Sequence, residues 1–179
     1  MPAESFADLA RRPDGPTVDQ IWAALLPGER QQALQQYLAS DKPNRQMLDA
    51  AAATLPALRT FRKQTIQQMP DGKLVDVVAK ATRLPAGILP DLLLAMHVKG
   101  RTAMLESFLD TLGVPHEHGV ITDADAVGQA VQGERLSNAA ARLGEQYPAR
   151  DVQIYLLTLL AMDPNSWGGL RAVVARQAT

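Results

Sequence analysis

The chain has 179 residues, a net charge of −1 and no cysteine, and 46% of its residues are hydrophobic although only 4% are aromatic. This length suits one compact domain, and the lack of cysteine excludes disulfides, thiolate zinc sites, iron–sulfur clusters and cysteine nucleophiles. No stretch approaches the roughly 18 continuous apolar residues of a membrane span, and the opening segment "MPAESFADLARRPDG" lacks the apolar run of a secretory signal. We therefore expect a cytoplasmic protein without a membrane partner.

Helical signals begin near the start of the chain and recur along it. Thr17 and Gln20 have the spacing of a capping box ahead of an apolar stretch, so they predict a helix start. Glycine or proline then interrupts helical spacing at residues 13–16, 26–28, 41–43, 69–72, 113–115 and 147–148. Asp163 followed by Pro164 predicts one more helix start. Only "GVIT", residues 119–122, has the pattern of a short strand.

These signals predict an all-α fold. The breaks delimit about eight to ten short helices, and no Ser/Gly linker or low-complexity tract separates them. We therefore expect residues 1–179 to form a single compact bundle in which the helices are arranged as helical hairpins.

Two stretches of the chain share a similar order of elements, which suggests an internal duplication. Residues 73–112 and 135–177 each contain a helical stretch, a proline break, a helix ending in Leu-Ala-Met, a short turn and another helix. Their alignment pairs Pro85 with Pro148. A repeated sequence pattern of this kind predicts a duplicated helical unit.

The segment ending in "LLAMDPNSW" resembles a tetratricopeptide repeat, whose helix pairs end in a proline before the next repeat. Pro164 occupies that place in this sequence. The apolar or small positions of the repeat are filled by Leu136, Ala140, Leu143 and Leu156. Val152 and Leu159 depart from the pattern, because they stand where the family has small residues. The resemblance spans one repeat length and implies that these helices pack as a hairpin.

Two predicted helices are apolar on more than one face. They contain "GILPDLLLAMHVKG" and "VQIYLLTLLAM". Such helices either form the centre of a core or offer part of their surface to a partner. A domain of this size needs some fully buried helices, so the core is the first interpretation. Surplus apolar surface would serve a protein partner or a homo-oligomer.

The segment "GVPHEHGVIT", residues 113–122, contains two of the three histidines. If the segment is extended, His116 and His118 project to the same side, and neutral imidazole is a ligand for zinc, nickel or iron. Further ligands for such a metal site would come from His97, Glu117, Asp123 or Asp125. In the alternative interpretation, Gly113 ends the preceding helix and the two histidines lie in a polar corner.

Residues 123–134, "DADAVGQAVQGE", resemble the calcium loop of an EF-hand. The matching loop positions are one, three, six and twelve, filled by Asp123, Asp125, Gly128 and Glu134. Val127 departs from the pattern, because it stands where the loop has a ligand at position five. The alternative makes Thr122 the N-cap of a helix, with acidic residues in its first turn and an apolar face.

Basic residues are concentrated in the middle of the chain: residues 51–101 contain 8 basic and 3 acidic groups, whereas residues 102–179 contain 5 and 9. Candidate phosphate contacts are Arg59, Arg62, Lys63, Lys99 and Arg101. Within this region, "LVDVVAKATRLPAGILPDLLL" resembles a helix-turn-helix, although Pro90 would fall inside its second helix. The overall charge is not that of a basic domain, so the alternative is a solvated helix face.

Motifs of enzymes are missing from the sequence: it has no nucleophile elbow, phosphate-binding loop, dinucleotide fingerprint or His-Glu-x-x-His pair. We therefore expect no catalytic residue and no cofactor. The favoured function is protein–protein interaction or scaffolding, with a protein partner or a second copy of the chain. One alternative is a metal-binding protein or metal-dependent enzyme that uses His116 and His118. Another is nucleic-acid binding through the basic middle segment.

Overall fold

A computed structural model describes residues 5–41, 43–131 and 134–177, which contain twelve α-helices and one two-stranded hairpin. The all-α prediction is confirmed. The helices outnumber the expected eight to ten partly because Phe6–Ala10 and Lys63–Gln67 have only five residues each. Among the described residues, no helix is both long and apolar enough to cross a membrane.

In chain order, the helices are α1 Phe6–Ala10, α2 Val18–Ala24, α3 Pro27–Leu38, α4 Arg45–Ala53, α5 Lys63–Gln67, α6 Asp71–Val78, α7 Leu89–Gly100, α8 Thr102–Leu112, α9 Ala124–Ala130, α10 Glu134–Gln146, α11 Ala149–Met162 and α12 Leu170–Gln177. Between α8 and α9, the strands β1 His116–Glu117 and β2 Val120–Ile121 pair antiparallel, with His116 opposite Ile121. The second strand lies within the predicted "GVIT".

The chain divides into two compact units. One comprises Met1–Ile21 and Arg101–Thr179, and the other comprises Trp22–Gly100. Residues 73–112 extend across the boundary between these units, whereas residues 135–177 lie within one of them. The single-domain organisation and the internal duplication stay predictions.

Local capping explains where several helices begin. The capping box predicted ahead of α2 is present: the Thr17 N–H donates to Gln20 Oε1 at 2.9 Å, and the Gln20 N–H donates to Thr17 Oγ1 at 3.4 Å. The helix start predicted at Asp163 is wrong, because α12 begins at Leu170. The Asp163 carboxylate instead accepts the Ser166 N–H at 3.0 Å within a turn. Two successive glycines at 168–169 then disfavour continuation of that turn as a helix.

The core of the unit Trp22–Gly100 is built largely from α3 and α7, which pack against each other. The buried apolar residues of α7 are Leu89, Leu92, Leu93, Ala95 and Met96. Trp22 is also fully buried, and its indole Nε1–H donates to the Ala81 carbonyl at 3.0 Å. The interpretation of "GILPDLLLAMHVKG" as a core helix is therefore confirmed.

A charged side chain lies inside this same unit. Arg30 on α3 is only 4% exposed. Its Nε donates to the Ala79 carbonyl at 2.7 Å, and its Nη1 donates to the Leu25 carbonyl at 2.8 Å. These carbonyls follow α6 and α2, where the last turn of each helix leaves acceptors without helical donors. Burial lowers the pKa of Arg30, but a guanidinium stays protonated at ordinary pH. The side chain thus ties together two helix ends.

In the other unit, α8 packs on α10, and α11 packs on α12. The Phe108 ring meets Tyr155 edge-on, with 5.5 Å between the ring centroids, and its centroid is 6.0 Å from that of Trp167. The buried residues of α11 include Val152, Ile154, Tyr155, Leu156, Leu157 and Leu160. The interpretation of "VQIYLLTLLAM" as a core helix is therefore also confirmed.

An exposed glycine offers a first test of the helix assignments. Gly144 lies in α10, and a Cβ added there would meet no atom within 4 Å. Alanine restricts the unfolded chain and favours the helix, so Gly144→Ala is expected to raise the free energy of unfolding by about 0.5–1 kcal/mol. Urea denaturation measures this change. A variant no more stable than the wild type would contradict the helical assignment at this position.

Candidate functional site

The predicted histidine corner is a short hairpin that follows α8. Gly113 ends α8 in the left-handed conformation with φ 72°, as the corner interpretation requires. The His116 Nε2 lies 3.1 Å from Asp110 Oδ1, and its Nδ1 accepts the Gly119 N–H at 3.4 Å. His118 Nδ1 lies 3.6 Å from Glu106 Oε1. Each histidine therefore faces a carboxylate on α8, and the sequence pattern pointed to neither of these pairings.

The candidate metal ligands do not form a metal-binding cluster. His97 is buried in α7, within the unit Trp22–Gly100, whereas His116, His118, Asp123 and Asp125 belong to the other unit. Among residues 5–41, 43–131 and 134–177, no group of three or more His, Cys, Asp or Glu side chains has a geometry suited to a metal ion. Metal binding at this corner stays a prediction.

Of the residues 123–134 that resemble a calcium loop, 132–133 lie outside the described residues, and 123–130 form the start and body of a helix. The Asp123 side chain is the N-cap of α9 and accepts the backbone N–H of Asp125 at 3.0 Å. The prediction that Thr122 caps this helix is therefore wrong by one residue, because a carboxylate caps as well as a hydroxyl does. Gly128 lies inside α9, which leaves no loop of EF-hand geometry around it.

Two of the five candidate phosphate contacts are neutralised within the chain. Lys99 Nζ lies 3.7 Å from Asp41 Oδ2, and Arg101 Nη2 lies 2.6 Å from Asp151 Oδ1. Asp151 comes from the acidic last part of the sequence. Ion pairing in the fold therefore cancels part of the charge difference between the basic residues 51–101 and the acidic residues 102–179. Arg59, Arg62 and Lys63 remain exposed at the junction of α4 and α5.

The chain around this junction is held by two buried leucines. Helix α4 ends at Ala53, and a tight turn follows in which the Leu58 N–H donates to the Leu55 carbonyl at 2.9 Å. Leu55 and Leu58 are buried, whereas Phe61 is 45% exposed. The anchored leucines therefore leave an aromatic ring and its basic neighbours on the surface.

A groove of about 570 Å³ lies between α4 and α5. We call it the α4–α5 groove, and it is lined by Gln46, Asp49, Ala50, Ala53, Arg59, Phe61, Lys63, Ile66 and Gln67. Its apolar wall consists of small or aliphatic side chains and the half-exposed Phe61 ring. Ala50 is itself exposed to solvent, so the groove is an open trough along the surface of α4.

One wall of the groove contains an acidic residue held by an ion-pair network. Arg45 Nε donates to Asp49 Oδ1 at 2.8 Å, and Arg45 Nη2 donates to the Met69 carbonyl at 2.9 Å. Arg45 also pairs with Asp71. Arg45 therefore neutralises the Asp49 carboxylate. Because Arg45 is itself bonded to three groups, it also fixes the position of that carboxylate.

Two smaller grooves lack this combination of features. A groove of about 450 Å³ on α8 and α10 is lined by Thr111, Arg135, Asn138, Ala141, Arg142 and Glu145. A groove of about 300 Å³ on α3 and α6 is lined by Gln35, Leu38, Ala39, Asp71, Gly72 and Val75. Neither has an aromatic side chain in its wall. The α4–α5 groove is therefore the best candidate site among the three.

Comparison of the chain with protein-family models, curated proteins and solved structures gave no match. The α4–α5 groove is therefore judged by its own geometry. Sequence reasoning singled out Arg59, Arg62 and Lys63 but missed Phe61, which lies among them in "LRTFRKQ". The available signal was an aromatic residue with polar residues directly on both sides, because those neighbours offer it no apolar surface to pack against.

Proposed function

We propose that this chain is a cytoplasmic protein-interaction or scaffolding domain whose partner binds in the α4–α5 groove. The observation that carries the proposal is the apolar-walled trough with the half-exposed Phe61 ring at its edge. A large apolar side chain left on the surface costs solvation free energy, which binding of a partner would recover.

The shape of the groove favours a polypeptide segment as its occupant. Its volume falls within the range of about 300–1,000 Å³ that suits a ligand or several side chains. Its floor is the exposed surface of α4 around Ala50, so a bound molecule would stay open to solvent along its length. An extended or helical segment fits a trough of this kind better than a small enclosed ligand does.

The chemistry of the groove resembles the energetic centre of a protein interface. Aromatic residues and arginine are enriched in such centres, and a few of them account for most of the binding free energy. Phe61 and Arg59 both line the groove. A partner side chain seated in the groove would have Phe61, Ala53 and Ile66 as its apolar neighbours, because all three line it.

The proposal is tested by selecting binders from a displayed library of random peptides against the wild-type chain. Ala50→Tyr fills the trough from an exposed position, so it should weaken the selected peptides at least about tenfold, from a starting Kd in the micromolar range. Fluorescence anisotropy measures this loss with labelled peptides.

The matched control is Ala172→Tyr, which adds the same side chain at an exposed position of α12 outside the groove. Peptide binding should be unchanged in that variant. If no selected peptide distinguishes Ala50→Tyr from Ala172→Tyr, the groove is not the binding site. Native mass spectrometry adds one more outcome: a wild-type dimer lost in Ala50→Tyr would identify a second copy of the chain as the partner.

Nucleic-acid binding is the second candidate, and the position of Phe61 favours it. The exposed ring lies in sequence between Arg59 and Arg62, and proteins that bind single strands combine aromatic stacking surfaces with cations. Ion pairs already engage Lys99 and Arg101, so the cationic surface is smaller than the sequence predicted.

A further inference from the structure

The charges at the α4–α5 groove are unevenly compensated. Arg59 and Lys63 line the groove, and Arg62 precedes Lys63 in the sequence. All three are exposed, and within the described residues none of them takes part in an ion pair. By contrast, Arg45 and Lys99 in the same unit each have an acidic partner. The edge of the groove next to Phe61 therefore carries positive charge that no acidic residue of the described ranges neutralises.

The acidic residue of the groove does not cancel this charge. The Asp49 carboxylate is engaged by Arg45, and only 9% of its side chain is accessible to solvent. Arg45 therefore compensates the negative charge of Asp49. The two sides of the trough consequently differ, with a neutralised carboxylate on α4 and uncompensated cations at the start of α5.

We infer that the partner segment is acidic and amphipathic: one large apolar side chain enters the α4–α5 groove, and carboxylates beside it face Arg59, Arg62 and Lys63. This inference rests on the proposed function. It follows from charge complementarity at the edge and from the apolar wall of Ala50, Ala53 and Ile66. The cations would increase the association rate, and the buried apolar side chain would slow dissociation.

The same observations disfavour a nucleic acid as the occupant. The apolar wall of Ala50, Ala53 and Ile66 offers no donors or acceptors to base edges, and Phe61 is the one aromatic side chain among the lining residues on which a base could stack. An acidic peptide can keep its carboxylates at the cationic edge and place only carbon atoms in the trough. A nucleic-acid base in the same place would bury its polar ring nitrogens and exocyclic groups against the apolar wall, which costs desolvation free energy.

The test uses the peptides selected on the wild-type chain. Their sequences should contain at least two Asp or Glu residues next to a Leu, Ile, Phe or Trp. Their Kd should weaken about tenfold between about 50 and about 500 mM salt, because salt screens exposed charges. A double variant, Arg59→Glu with Lys63→Glu, should weaken them more than tenfold and should bind peptides in which the acidic residues are replaced by lysine.

Three outcomes would overturn this inference, and they can be told apart from failure of the proposed function. Peptides that lose binding in Ala50→Tyr but are neutral or basic would contradict the acidic partner while leaving the groove as a protein-binding site. A poly-glutamate peptide binding as tightly as the selected ones would contradict the amphipathic character. Tighter binding of a single-stranded oligonucleotide than of the peptides, lost in the double variant, would replace both proposals with nucleic-acid binding.

Discussion

Arg30→Met is expected to lower the free energy of unfolding by about 3 kcal/mol, because hydrogen bonds to a charged donor are lost and buried carbonyls are left without partners. The Arg30 guanidinium is the donor to the carbonyls of Ala79 and Leu25, at the ends of two helices. Methionine fills a similar volume but donates no hydrogen bond, so the variant separates the loss of these bonds from the creation of a cavity. Urea denaturation followed by circular dichroism measures the change.

Two further variants make the result specific. Arg30→Lys keeps the charge but has a single ammonium group in place of the planar fork, so its stability should fall between those of the wild type and Arg30→Met. Arg83 is an exposed arginine of the same unit, and Arg83→Met is expected to change stability by less than about 0.5 kcal/mol. If Arg30→Met were as stable as Arg83→Met, water would have to reach the freed carbonyls, and Arg30 would not tie the helix ends together.

Gly119→Ala is expected to destabilise the protein by about 2–3 kcal/mol, because a positive φ and a steric clash coincide at this position. Gly119 has φ 79°, and an added Cβ would lie 2.7 Å from Leu105 Cβ on α8. The hairpin is thus seated closely on α8, and the new methyl group would push it away. Amide hydrogen exchange should rise at residues 114–122 together with the loss of stability.

Gly113→Ala is the matched control for this prediction. Gly113 also has a positive φ, 72°, but an added Cβ there meets no atom within 4 Å. Only the backbone strain of about 1–2 kcal/mol should appear in that variant. Equal losses in the two variants would show that the contact with Leu105 contributes nothing. The pair therefore measures how tightly the histidine hairpin is held on α8.

Many of the local elements could be predicted because their causes are close together in the sequence. The capping box of Thr17 and Gln20 involves residues three positions apart, and Gly113 stops α8 through its own backbone conformation. The errors are also local. Asp123 rather than Thr122 caps α9, because two adjacent residues can both cap and the final choice depends on backbone geometry. The turn at Asp163 does not continue as a helix because the glycines at 168–169 follow it.

The candidate site could be predicted only in part. The sequence shows Arg59, Arg62 and Lys63 as a basic cluster, but whether they are exposed and whether a described acidic residue pairs with them depends on where other segments lie in the fold. Lys99 and Arg101 looked equivalent to them in sequence and are instead paired with Asp41 and Asp151. Asp151 is 50 positions from Arg101, so no local pattern could indicate that pairing.

Local sequence patterns were sufficient to predict the all-α class, most helix breaks, the two core helices α7 and α11 and the short strand in "GVIT". These properties follow from spacing, capping and backbone preference over a few residues. Packing in the fold, by contrast, buries Arg30, brings His116 to face Asp110 and leaves Phe61 at the edge of an open groove. Local spacing could not indicate these features, because burial and charge pairing depend on packing between segments that are distant in the chain.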